Sequence, residues 1–82
     1  MISWKVKNDY LVKTFELSSF TECVDLLNEV TDIAEELQHH PDVSIKDYKY
    51  ITFKLRTHDA DAVTDQDWQL AKAIDDLQRS LS

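Results

Sequence analysis

Residues 19–41 read SFTECVDLLNEVTDIAEELQHHP, and the reading of this stretch decides the fold. Ser19-Phe20-Thr21-Glu22 is a capping-box pattern, in which a serine and a glutamate three residues apart each satisfy an orphan amide at a helix start. Behind it Phe20, Val24, Leu27, Val30, Ala34 and Leu37 recur at helical spacing. Leu26 and Ile33 widen the stripe enough for burial on two sides. Pro41 disfavours the α region for the residue before it, so the helix is expected to stop near His40.

The flanking segments alternate with a period of two instead. Before the helix, Trp4 to Val6 and Leu11 to Leu17 read as short strands joined through Asn8-Asp9, a pair that tolerates turn geometry. Leu11, Phe15 and Leu17 share one parity, and Lys13 breaks the pattern. After the helix, Val43 and Ile45 form one strand, and Ile51, Phe53 and Leu55 form another, with a hairpin expected around Tyr48-Lys49. Thr64-Asp65-Gln66-Asp67 is a second capping box. It opens a helix with Leu70, Ile74, Leu77 and Leu81 on one stripe, flanked by Trp68 and Ala71. The order ββαββα predicts an α+β two-layer sandwich, with both helices on one face of a four-stranded antiparallel sheet.

Eighty-two residues are expected to form a single domain, residues 1–82. A chain of this length buries only about 60–65% of its unfolded surface, so support from self-association is expected. Leu26 and Ile33, offset from the main stripe, are candidates to meet a second copy or a second layer. Sixteen acids against nine basic residues give a net charge of −7, which disfavours direct binding of nucleic acid. No apolar run reaches the length needed to span a membrane. The N-terminal residues carry no secretory pattern, and the lone Cys23 allows no internal disulfide, so a cytoplasmic setting is expected. Cys23, on an apolar-rich part of the helix, reads as a small core residue.

His39, His40 and His58 are the side chains that titrate near neutrality, and they fall at the end of the first helix and the end of the last strand. Both places are expected to converge at one edge of the sheet. A helix C-terminus favours a protonated ring, and Glu35, four residues before His39, is expected to act in the same sense. Asp67 is expected to orient His58 by accepting a ring N–H. The competing structural readings are a dipole complement for the histidines and a cap for Asp67. Zinc would need three or four ligands at fixed geometry, and one histidine pair with one distant histidine does not supply them.

The segment Glu35-Glu36-Leu37-Gln38-His39-His40-Pro41, followed at set distances by Tyr48, His58 and Asp67, resembles the signature of the pterin-4a-carbinolamine dehydratases. Trp4, Lys13-Thr14-Phe15 and Phe20 are similar to that family's opening strands and helix start. One departure is that family members commonly carry Gly-Gly where this chain has Asp61-Ala62. The resemblance implies dehydration of a 4a-hydroxytetrahydropterin to the quinonoid dihydropterin, without metal or cofactor. It implies His39 and His58 as acids at opposite faces of the pterin, and His40 as substrate-binding group and base. Glu35 and Asp67 complete the implied catalytic set, while His39 to Pro41 and Thr57, His58, Asp59 and Ala60 would hold the polar edge of the pterin. It further implies a homodimer or homotetramer. The alternative it carries is a non-catalytic dimerisation cofactor or assembly factor that acts through the first helix.

Overall fold

The computed structural model describes residues 4–81, so the reading of the extreme N-terminus lies outside the described residues. The chain runs β1 (Lys5–Lys7), β2 (Tyr10–Glu16), α1 (Phe20–Leu37), β3 (Asp42–Lys46), β4 (Tyr50–Leu55) and α2 (Asp65–Leu81). The strands form one antiparallel sheet in the order β1-β2-β4-β3, as the alternation predicts.

Turns form without glycine. Asn8 and Asp9 both take positive φ (52° and 67°), the conformation a tight hairpin demands and that these side chains tolerate best. Between β3 and β4 the positive-φ residues are Asp47 and Tyr48, so this turn begins one residue earlier than the expected Tyr48-Lys49.

Leu11 and Phe15 of β2 and Ile51, Phe53 and Leu55 of β4 point to the same face and are buried with Leu70, Ala71 and Ile74 of α2. Phe15 meets Phe53 edge to face at 6.0 Å. Lys13 shares their parity, which explains the broken pattern in β2. Its ammonium leaves the core sideways, 2.8 Å from Asp75 of α2 and over the Phe15 ring at 4.6 Å. Trp4 donates from Nε1 to the same carboxylate at 3.1 Å.

The first helix is rotated relative to the expected stripe. Its buried residues are Cys23, Leu26, Val30 and Ala34, whereas Phe20 is 54% exposed. Leu26 is therefore a core residue, which meets the second layer of the fold and not a second copy. Apolar residues cover about half of this helix's circumference, a sector wider than one contact needs, and packing within the core selects the part that holds Cys23, Leu26, Val30 and Ala34. Cys23 lies in the core, as expected, with its thiol 3.7 Å from the Tyr48 carbonyl. Burial raises the thiol above its ordinary pKa, with a smaller contribution from the charge of Glu22.

Ser19 caps α1 by accepting from the Glu22 amide at 3.1 Å. The reciprocal half of the box falls one residue earlier: Glu22 accepts from the Ser18 amide and hydroxyl at 3.0 and 2.6 Å. These bonds hold the Glu22 carboxyl below its ordinary range.

Candidate active site

The site begins with how α1 ends. Gln38 enters the left-handed region at φ 55°, and the helix stops at Leu37, ahead of the expected stop near His40. The Gln38 amide donates to the Glu35 carbonyl and the His39 amide to the Ala34 carbonyl, at 3.3 and 3.0 Å. This paired closure is a Schellman arrangement, which satisfies the last carbonyls and turns the chain sharply. His39 consequently leaves the helix and no longer shares a face with Glu35. The expected Glu35–His39 pair is replaced by Glu35 with His40, whose Nε2 meets Oε2. That pair lies at the exposed rim.

His39 turns inward to Asp67. Nε2 lies 2.5 Å from Oδ1 of a carboxylate with no solvent exposure, and the imidazole is only 12% exposed. Asp67 was expected to orient His58; the early end of α1 sends His39 there instead. The second oxygen of Asp67 accepts from the Thr57 hydroxyl and from the Thr64 amide, both at 2.8 Å. The Thr64 contact is the reciprocal half of the second capping box, so one carboxylate caps α2 and binds a histidine. Thr57 has one hydroxyl hydrogen and gives it to Asp67. Thr64, whose Oγ1 lies 2.6 Å from that of Thr57, must therefore donate to it. An acceptor-only carboxylate also fixes the hydrogen of His39 on Nε2. Nδ1 is left as the ring atom able to exchange a proton.

His58 follows Thr57 on the loop after β4. Thr57 and Ala62 pair as an isolated bridge, with amide–carbonyl distances of 3.0 and 3.4 Å. Asp61 occupies the position with φ 56°, and Ala62 does not take positive φ. The loop therefore closes without glycine, because its left-handed position falls on an aspartate. The Asp61 carboxylate pairs with Arg56 across the loop.

A cavity of about 330 Å³ lies between the two segments, with His39, His40, Thr57, His58 and Asp59 on its wall. The spacing brings these five expected residues together. Glu35 and Asp67 stand behind the histidines, whereas Ala60 is off the wall and Pro41 lines a neighbouring apolar hollow with Leu27 and Val43. Gln38 and Gln66 also line the cavity, and sequence reasoning missed both. The signal for Gln66 was its place inside the second capping box, next to Asp67. Among the described residues no group of His, Cys, Asp and Glu could hold a metal ion, and no helix is long and apolar enough to cross a membrane.

The two-layer α+β fold brings three histidines to one cavity, with His39 held by the buried Asp67. The family described as Pterin 4 alpha carbinolamine dehydratase matches residues 2–77, and the chain belongs to that family. A relative from Sulfurisphaera tokodaii, named as a candidate pterin-4-alpha-carbinolamine dehydratase, is 46% identical over 94% of this chain and 82% of its own. A protein of the same designation from Aquifex aeolicus is 33% identical over 95% of this chain and 78% of its own. Two solved structures share the fold. A transcriptional coactivator/pterin dehydratase from Brucella melitensis superposes with a TM-score of 0.85 at 22% identity, covering 92% of this chain and 81% of its own. A pterin dehydratase-like RuBisCO assembly factor of the alpha-carboxysome gives 0.78 at 20% identity, covering 93% and 89%.

Proposed function

We propose that this protein is a 4a-hydroxytetrahydrobiopterin dehydratase that acts in tetrahydrobiopterin recycling in the cytoplasm. The observation that carries this reading is the convergence of His39, His40 and His58 on one cavity, with His39 held by the buried Asp67. Hydroxide is a poor leaving group, so the C4a–O bond breaks when an acid protonates the oxygen and water departs. The N5–H proton passes to a base, and its electron pair becomes part of the new C4a=N5 bond of the quinonoid dihydropterin. Positioned groups of near-neutral pKa contribute about 10²–10⁴-fold to such a step.

In this reading His39 and His58 serve as acids at opposite faces of the pterin. His39 works through Nδ1, because Asp67 engages Nε2. His40, steered by Glu35 at the rim, binds the substrate and takes the N5 proton. Thr57, Asp59 and the adjoining loop hold the polar edge of the pterin. The chemistry calls for no metal and no redox cofactor. Chemically generated 4a-hydroxytetrahydrobiopterin, followed by the absorbance of the quinonoid product, tests the reading against spontaneous dehydration in the same buffer.

A second reading rests on α1, where Phe20 is exposed at the helix start and Val24 and Leu27 are only half-buried. That surface suits self-association into a homodimer or homotetramer. It equally suits a non-catalytic role as a dimerisation or assembly factor, the activity named for one of the structural neighbours. Turnover separates the two readings.

A further inference from the structure

The open face of the sheet differs in charge from the rest of the molecule. The register sets Lys5 beside Val12 and Val12 beside Lys54, and sets Lys7 beside Tyr10. All of these have the parity opposite to the core residues Leu11, Phe15 and Phe53. Lys54 and Arg56 lie over the Tyr10 ring, at 5.9 and 5.4 Å from its centre. Cations that are scattered along the sequence are thus gathered on one surface by strand alternation. Among the described residues Lys5, Lys7 and Lys54 form no ion pair. Beside them a shallow hollow of about 370 Å³ opens over Val12, Thr14 and Tyr50, with Lys5, Lys7 and Lys13 on its wall and Glu16 as its one carboxylate. Across the sheet, α1 carries Glu22, Asp25, Glu29, Asp32, Glu35 and Glu36 and no lysine or arginine.

We infer that this face is a docking surface for an acidic segment of a partner protein, independent of the pterin reading. Charge complementarity selects the partner. The face carries Lys5, Lys7, Lys46, Lys54 and Arg56 against Asp42 and Glu16, so it is net positive around an apolar floor in a molecule that is otherwise strongly acidic. A carboxylate-bearing segment with interspersed apolar side chains satisfies both features. Single-stranded nucleic acid fits less well, because it needs bare aromatic rings for base stacking. Here Tyr10 is covered by Lys54 and Arg56, and Tyr50 has the Lys49 ammonium 5.3 Å from its ring centre. A second copy docking through its acidic α1 would make a heterologous, head-to-tail contact, which builds rings or filaments and not a two-fold dimer. The sheet face and α1 lie on opposite sides, so association through the helix leaves this surface open.

The test is a titration of the full chain with a short acetylated peptide rich in glutamate with interspersed leucine, read by backbone amide NMR. The amides of Lys5, Val12, Thr14 and Lys54 shift with dose, while those of His39 and His58 stay in place. The double variant Lys5→Glu/Lys54→Glu weakens binding by at least ~10-fold, as reversal of rim charges does. Lys5→Ser/Lys54→Ser, which keeps both strands polar, weakens it in the same direction if charge reversal disturbs the sheet. A peptide with lysine in place of glutamate leaves the spectrum unchanged. Shifts confined to α1 or to the histidine cavity, or binding insensitive to both double variants, overturn the inference. So does an oligothymidylate that moves the same amides at lower concentration than the peptide, since the occupant would then be nucleic acid.

Discussion

His39 and Asp67 stand 28 residues apart in sequence and meet at 2.5 Å, ring nitrogen to carboxylate, with the carboxylate wholly buried. The contact joins the end of α1 to the first turn of α2, and both sides of the cavity depend on it. Asp67 also receives the Thr57 hydroxyl and the Thr64 amide. Its removal strips three donors of their acceptor at once.

Asp67→Ala is accordingly expected to lower stability by about 2–4 kcal/mol, because buried donors lose their partner and α2 loses half its cap. Asp67→Asn keeps the shape but presents an amide where three donors converge, so it should lower turnover more than substrate affinity. Denaturant melts and a separation of kcat from KM check both expectations.

His58→Ala is expected to lower turnover by about 10²–10⁴-fold with an unchanged thermal midpoint, since the side chain is exposed and makes no hydrogen bond or ion pair among the described residues. His39→Ala is expected to lower both, because it leaves the buried Asp67 oxygen without its donor. Circular dichroism and rate measured on the same samples distinguish the two. Equal loss of structure in both variants would count against His58 as a site residue.

Glu22 gives the fold a pH-dependent component. Its carboxyl is held below the ordinary value of 4.5 by the Ser18 hydroxyl and amide. Stability from this group is fully present above that value and is lost as pH falls through the depressed folded pKa. Glu22→Gln should therefore lower the thermal midpoint at pH 7, and the difference from the wild type should shrink under strongly acid conditions. A gap that widens on acidification would contradict the assigned bonds.

Cys23 should resist alkylation in the native protein and react rapidly once the chain is unfolded. Its thiol is buried, and burial raises its pKa, so little thiolate forms near neutrality. Timed labelling with iodoacetamide, with and without denaturant, reads this directly.

Metal removal should leave turnover unchanged. Dialysis against a chelator followed by elemental analysis and rate measurement checks it, and a stoichiometric zinc whose loss abolishes activity would contradict the acid–base account.

Much of this was legible in the sequence because strand alternation and helix caps are local signals. Val43, Ile45, Ile51, Phe53 and Leu55 declare their face by period alone, and Ser19 declares the start of α1 by its spacing from Glu22. The rotation of α1 was not legible, because its apolar sector spans about half the helix and only the sheet and α2 select Leu26 over Phe20. Lys13 looked like an error in the strand until Asp75 supplied a partner from the far end of the chain. The residues of the site could be gathered by spacing, but their pairing could not. Gln38 adopts the left-handed conformation without being glycine or asparagine. That single turn decides that Asp67 holds His39 and Glu35 holds His40.

The most direct test of the central claim is the rate at which chemically prepared 4a-hydroxytetrahydrobiopterin loses water with and without the protein, followed by absorbance at neutral pH. The account predicts saturable acceleration over the buffer rate by wild-type protein, a large loss in His58→Ala, and release of water and quinonoid dihydrobiopterin with no added metal or cofactor. A wild-type rate equal to that of buffer, from protein with native circular dichroism, would contradict the assignment and leave the first helix and its exposed Phe20 as the functional surface.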